Sequence, residues 1–345
     1  MDREPLRPSV HFDPKIMAKK EETNVQEQPD KFMDQEAFKR AVSAFDSGHY
    51  SEAGSAFEAL YQEQQVTSIN HYLVASLYQD QQFLAAEQYA AEMDASYLAS
   101  SALFTRRLQV ALANQQFIFA REFVSLPAAR NWRDQGLLTI EAAEKESRTS
   151  LAAKQRVIAK QFSHLGDVSF GEQRRRYERA KQLPLQEFMQ GLKFLLVDPF
   201  LHPLMKATLL EELLRLRVDD TVQLTWLDGT TQSLDTSTLE PVGASYAAQT
   251  IQQYLQGRLG QQDPVKAAGL QQTVTLQLMM LYPYIDRIIT NPVAWIQNQG
   301  DIPFDPEPTS SEIKGIRDWQ ERLENLITDL LGPMGPESAE NPEKP

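Results

Sequence analysis

Three stretches decide the fold: GHYSEAGSAF (48–57), QQFLAAEQYA (81–90) and QQFIFAREFV (115–124). Each carries an aromatic at its third position (Tyr50, Phe83, Phe117) and an alanine three residues later (Ala53, Ala86, Ala120), and the starts lie 33 and then 34 residues apart. The residues before each stretch recur at helical spacing, as in Ala37, Ala41, Ala44 and Phe45, or Leu73, Val74, Leu77 and Tyr78. A second helical pattern follows, as in Tyr50, Ala53, Phe57, Leu60 and Tyr61. One unit is thus written three times: a helix, a tight turn at Gly48, Gln81 or Gln115, and a second helix. The short turn lets the hairpin close, the aromatic opens the second helix, and the small alanine lets that helix approach the first.

A period of 33 to 34 with these residues resembles the tetratricopeptide repeat (TPR) family, over about Asp34 to Pro127, with units starting at Asp34, Thr67 and Ser101. The match is degenerate. The family's tryptophan place holds Ala37, Asn70 and Leu103, its small eighth residue survives only as Ala41, and its later aromatic only as Phe57. The closing proline is replaced by Gln65 and Leu98, and Pro127 arrives early in the third unit. The resemblance implies that first helices line a concave groove, with Lys39, Tyr72 and Arg106 recurring along it and His71, Gln79 and Gln109 beside them. Such a polar, partly cationic strip with a central tyrosine would hold an extended acidic peptide. One TPR subclass grips a C-terminal carboxylate with Lys, Asn, Asn, Lys and Arg. Here those places hold Phe38, Val42, Tyr72, Ala102 and Arg106, which disfavours that mode.

Composition narrows the function classes. The 345 residues exceed a usual single core, so two domains or an elongated array are expected. Zero cysteines exclude disulfides, thiolate nucleophiles and Cys-based metal sites, and agree with a reducing cytoplasm. No apolar run reaches the length of a membrane span or of a secretion signal; the longest, 278–285, is short and contains Pro283. Met17 opens MAKKEETNV, so Met1 and Met17 are both candidate starts. A net charge of −13 disfavours general nucleic-acid affinity, although residues 151–220 hold 12 Lys/Arg against 9 Asp/Glu, a local net of +3.

Beyond the repeats, 135–164 lacks proline and predicts one long helix capping the third unit. Ser169 and Glu172 fit a capping box for a following helix that carries Arg174, Arg175, Arg176 and Arg179. That cluster is the candidate nucleic-acid contact. Two apolar-striped helices, 185–197 and 201–217, meet at Asp198-Pro199. The period then changes: Val222, Leu224 and Trp226 alternate with polar residues, and Asp228-Gly229 predicts a two-residue turn in a β-hairpin over 221–234, with Trp226 buried against helices. Helices are expected over 244–259 and 264–289, then a proline-bearing linker over 298–311. An amphipathic helix follows over 312–331, in which Ile316, Trp319, Leu323, Leu326 and Leu330 step by 3 and 4. Segments 1–30 and 332–345 read as disordered. The arrangement resembles TPR proteins of Gram-positive bacteria.

Catalytic motifs do not emerge. His11, His49, His71, His164 and His202 are scattered without metal spacing, and phosphate-loop and nucleophile-elbow patterns are lacking. The expectation is an all-α, TPR-like solenoid (31–165) joined to a helical domain with one β-hairpin (166–297). It would act without cofactor or metal as a cytoplasmic, non-catalytic protein-interaction scaffold. Self-association through 312–331 is a further option for that helix. The alternative is an RNA- or ribosome-associated factor using Arg174 to Arg179.

Overall fold

The first helix, α1 (Gln35–Asp46), begins where the Asp34 carboxylate accepts from the backbone N–H groups of Glu36 and Ala37, two of the donors a helix start leaves unpaired. The computed structural model describes residues 34–331; the expected disordered segments 1–30 and 332–345, and both candidate starts, lie outside them. Helices α2 (Tyr50–Glu63), α3 (Thr67–Gln79), α4 (Phe83–Ala91), α5 (Ser101–Ala113) and α6 (Phe117–Ser125) complete three hairpins. The fold is all-α with one two-stranded antiparallel sheet.

All three hairpins close in the same way. Gly48, Gln81 and Gln115 have φ of +80°, +61° and +61°, the left-handed region. The N–H of each donates to a carbonyl three residues back (Phe45, Tyr78, Leu112; 3.0, 3.1 and 3.0 Å). The next N–H donates five residues back, to Ala44, Leu77 and Ala111 (2.9, 2.8 and 2.9 Å). This paired bond set is the Schellman helix ending, which satisfies carbonyls the helix leaves open. Ala53, Ala86 and Ala120 are 0% exposed, as close helix approach demands. First helices lie side by side: Phe38 and Phe45 of α1 meet Tyr72 of α3 at ring distances of 5.7 and 5.8 Å, and Tyr78 of α3 meets Arg106 of α5 at 6.0 Å.

The expected long helix over 135–164 is two helices, α7 (Arg133–Ser150) and α8 (Ala152–Ser163), broken at Leu151, where φ is −119° and ψ 17°. The start of α7 covers the third hairpin, with Ile140 buried and Arg121 held bidentately by Glu144 (2.8 and 2.9 Å). The chain divides into two compact units between Glu146 and Ser147, earlier than the expected boundary at 165/166. The reason lies in α8, whose Phe162 stacks at 5.2 Å on Phe188 of the second unit.

The second unit continues with α9 (Phe170–Ala180), α10 (Leu185–Val197) and α11 (Pro203–Leu216). Ser169 stands at the N-cap of α9 without a side-chain cap bond; the Glu172 carboxylate is taken by Arg175 and Arg176, so the expected capping box does not form. Strands β1 (Thr221–Thr225) and β2 (Thr231–Asp235) pair Val222 with Leu234 and Leu224 with Gln232. The loop is longer than the expected two-residue turn: Gly229, at φ +80°, donates to the Trp226 carbonyl at 2.9 Å, and Trp226 donates to Thr230 at 3.0 Å. Val222, Leu224, Trp226 and Leu234 are buried, as alternation requires.

Helix α12 (Tyr246–Tyr254) widens into a π turn over Leu255–Leu259. The expected helix over 264–289 stops as α13 (Pro264–Leu281), because Pro283 follows and cannot continue it; a single turn (Ile285–Ile288) and α14 (Pro292–Gln299) replace the remainder. Helix α15 (Ser310–Leu331) begins two residues before its expected start, because Thr309 and Glu312 form a reciprocal capping box. It packs back on its own unit: Ile316 and Leu323 are buried, and Gln320 donates to the Trp295 carbonyl at 2.9 Å. No helix among the described residues is long and apolar enough to cross a membrane.

The shared turn makes a signed prediction. A non-glycine residue in the left-handed region costs about 1–2 kcal/mol, and glycine restores about 0.5–1 kcal/mol of unfolded-chain entropy. Gln81→Gly should therefore raise unfolding free energy by about 0.5 kcal/mol. Gly48→Ala, whose added Cβ meets nothing within 4 Å, should lower it by about 1 kcal/mol through backbone strain alone. Urea titration of both variants checks the pair, and the opposite signs would refute the turn assignment.

Candidate functional site

The expected strip on the first helices is drawn largely inward. Lys39 is exposed and pairs with Glu36 of its own helix at 3.1 Å, a surface contact of little energetic weight. Tyr72 is half-buried, stacked on Phe57 at 5.1 Å inside an aromatic cluster with Phe38 and Phe45. Gln79 and Gln109 are half-buried. Arg106 is only 2% exposed, so it is not displayed for an acidic peptide as expected. Burial pulls its guanidinium down to about 10, with Tyr97, Tyr78 and Tyr50 opposing that shift.

His71 joins the same interior. Its Nε2 lies 2.8 Å from the Ser96 hydroxyl, which itself donates to the Met93 carbonyl at 2.7 Å, so Nε2–H is the donor. Burial, then the nearby Arg106 charge, pushes the imidazole down to about 4. Next to it, Asn70 ties α3 to its hairpin partner α4 and to the turn that follows, donating to the Tyr89 carbonyl and accepting from the Tyr97 hydroxyl. Arg107 lies bidentate on Glu87 (2.7 and 2.8 Å), touches Asp94 at 2.5 Å and covers the Phe119 ring.

The arginine cluster is partly neutralised within its own helix. Arg175 and Arg176 share Glu172 (2.7 and 2.9 Å), whose carboxyl they hold below its ordinary range. Arg179 reaches Gln161 at 3.5 Å, and Arg174 is exposed.

The second unit contains a cleft of about 1080 Å³ that sequence reasoning missed. Its floor is the start of α11 with the hairpin, and one wall is α15. Phe170, Leu224, Trp226 and Tyr282 line it, and Phe200 stands 79% exposed at the Pro199-Phe200 corner. His202 caps α11: its Nδ1 accepts from the Leu204 N–H at 3.2 Å, leaving Nε2–H to donate to the Leu326 carbonyl of α15 at 3.3 Å. Arg322 of α15 donates to the Leu227 carbonyl in the hairpin loop, and Trp319 packs 5.9 Å from Trp226. Lys206 donates to the Thr225 carbonyl at 2.7 Å, and burial lowers its ammonium to about 8 against the opposing pull of Asp198. The cleft draws on segments more than 150 residues apart in sequence, so no local pattern announces it.

Among the described residues no group of three or more His, Asp or Glu side chains is placed to hold a metal ion. No known family model matches the chain, and neither a curated protein nor a solved structure does.

The depressed His71 imidazole sets a pH dependence. Between about 4 and 6.5 the unfolded chain holds the extra proton, so stability rises with pH across that window and is lost as pH falls through it. The full swing is bounded at about 3 kcal/mol. His71→Gln should lose less stability than the wild type on going from pH ~7 to pH ~4.5. Parallel unfolding curves at both pH values check this, and equal losses would show His71 to be uninvolved.

Proposed function

We propose that the chain is a protein-interaction scaffold of TPR-like kind, which holds a segment of another protein along the face formed by α1, α3 and α5. The observation that carries this reading is the side-by-side placement of the three first helices by one repeated turn, since a row of equivalent helices is a surface on which an extended segment meets the same kind of contact at each step. Lys39, Gln79 and Gln109 supply polar contacts at its surface, and Tyr72 offers a partly exposed edge. His71 and Arg106 lie beneath and hold the helices in register rather than touching the partner. With Lys39 as the one cation of the original strip left exposed, recognition rests on amide and aromatic contacts more than on charge. A cytoplasmic setting belongs to the same reading and accords with the absence of cysteine.

Site-specific crosslinking tests it directly. A photoreactive residue replacing Gln79 or Gln109 on the first-helix face, compared with one replacing exposed Gln62 on α2, should capture a discrete protein only at the first two positions, with or without nuclease. Products identical at all three positions would remove the face from consideration. Capture that disappears with nuclease would transfer the function to Arg174 and Arg179.

A further inference from the structure

We propose that the cleft in the second unit is a separate binding site for a small aromatic or similarly apolar molecule bearing a single carboxylate, which it would bind through the Lys206 ammonium. Its volume of about 1080 Å³ is at the upper end of small-ligand sites, whereas a protein partner needs a broad face. The walls are largely aromatic and aliphatic, and aromatic rings favour a planar body stacked or edge-on between them.

The polar groups of the cleft include acceptors, among them Gln173, Asp318 and Glu321, beside the donor Lys206. Lys206 has three N–H bonds and gives one to the Thr225 carbonyl, so two have no acceptor among the described residues. Trp226 lines the cleft with its ring, while its indole N–H is closed off from the cleft. An incoming carboxylate oxygen would take up the spare Lys206 N–H groups in a charge-assisted hydrogen bond. The cleft also contains the start of the 14-residue helix α11, where the helix dipole favours negative charge.

Other charges in the cleft limit the ligand to one negative group. Asp318 and Glu321 line the α15 wall, and Asp198 acts on Lys206, so a polyphosphate or dicarboxylate would meet repulsion. His202 is neutral in this arrangement, because its Nδ1 accepts from the Leu204 N–H. Arg322 also lines the cleft and gives one N–H to the Leu227 carbonyl, but it is exposed, whereas Lys206 is half-buried. The ammonium of Lys206 is therefore the cation best placed to receive the ligand, and its depressed pKa, about 8, means that binding takes up a proton at higher pH.

The experiment is calorimetric titration of the full chain with naphthylacetate and with the uncharged naphthylethanol. Naphthylacetate should bind with Kd below about 1 mM, and naphthylethanol at least about tenfold more weakly, the weight of a charge-assisted hydrogen bond. Lys206→Met should abolish that preference and Lys206→Arg should keep it. In the wild type the preference should be level below pH 8 and decline above it. Equal affinities for the two probes, or no binding of either, would overturn the assignment, as would a preference unchanged in a folded Lys206→Met. If Lys206→Met does not fold, the wild-type pH profile decides alone: a preference flat through pH 8 would exclude Lys206 as the anchor.

Discussion

Everything in the first unit depends on a backbone constraint at three places. Two antiparallel helices joined by three residues can close only if the middle residue takes the left-handed conformation that L-amino acids avoid. The chain meets this with glycine once and with glutamine twice, and the hydrogen-bond pattern is the same each time. Because the turn fixes the angle between the two helices, the same alanine position faces the partner helix in every hairpin and must stay small. The row of first helices follows from those two requirements.

Charge in the interior of that unit serves register more than net stability. Arg107 with Glu87 and Asp94, and Arg121 with Glu144, are buried pairs whose desolvation consumes most of what their attraction returns. Their directionality is what apolar packing lacks. A bidentate guanidinium on α5 accepts one placement relative to the Glu87 carboxylate on α4, so successive hairpins cannot slide past one another. Asn70, between Tyr89 and Tyr97, fixes the two helices of the second hairpin and the turn that follows it.

Local features were legible in the sequence because local spacing encodes them. The turn positions, the three alanines, the inward face of the β-hairpin and the burial of Trp226 could all be read from periods of 3.6 and 2. Arg106 was misjudged for a physical reason. Its helix position faces the expected groove, but Tyr78 and Tyr97, from other elements, close over it, and no pattern within one helix registers such cover. The break at Leu151 was equally hidden, since 135–164 contains no proline and the packing of Phe162 on Phe188 joins residues 26 apart. The cleft was least legible, because Lys206 and the β-hairpin become neighbours only through the contact of α11 with β1.

The capping box that starts α15 lies near the end of the described chain, and this has a consequence for synthesis. A ribosome releases the hairpin and its Trp226 about 90 residues before Trp319 and Arg322 emerge, which at ordinary elongation rates is several seconds. During that interval one face of Trp226 lacks the ring that later packs on it, and the cleft has only its floor. Trp226 therefore has no Trp319 ring beside it until α15 has been made.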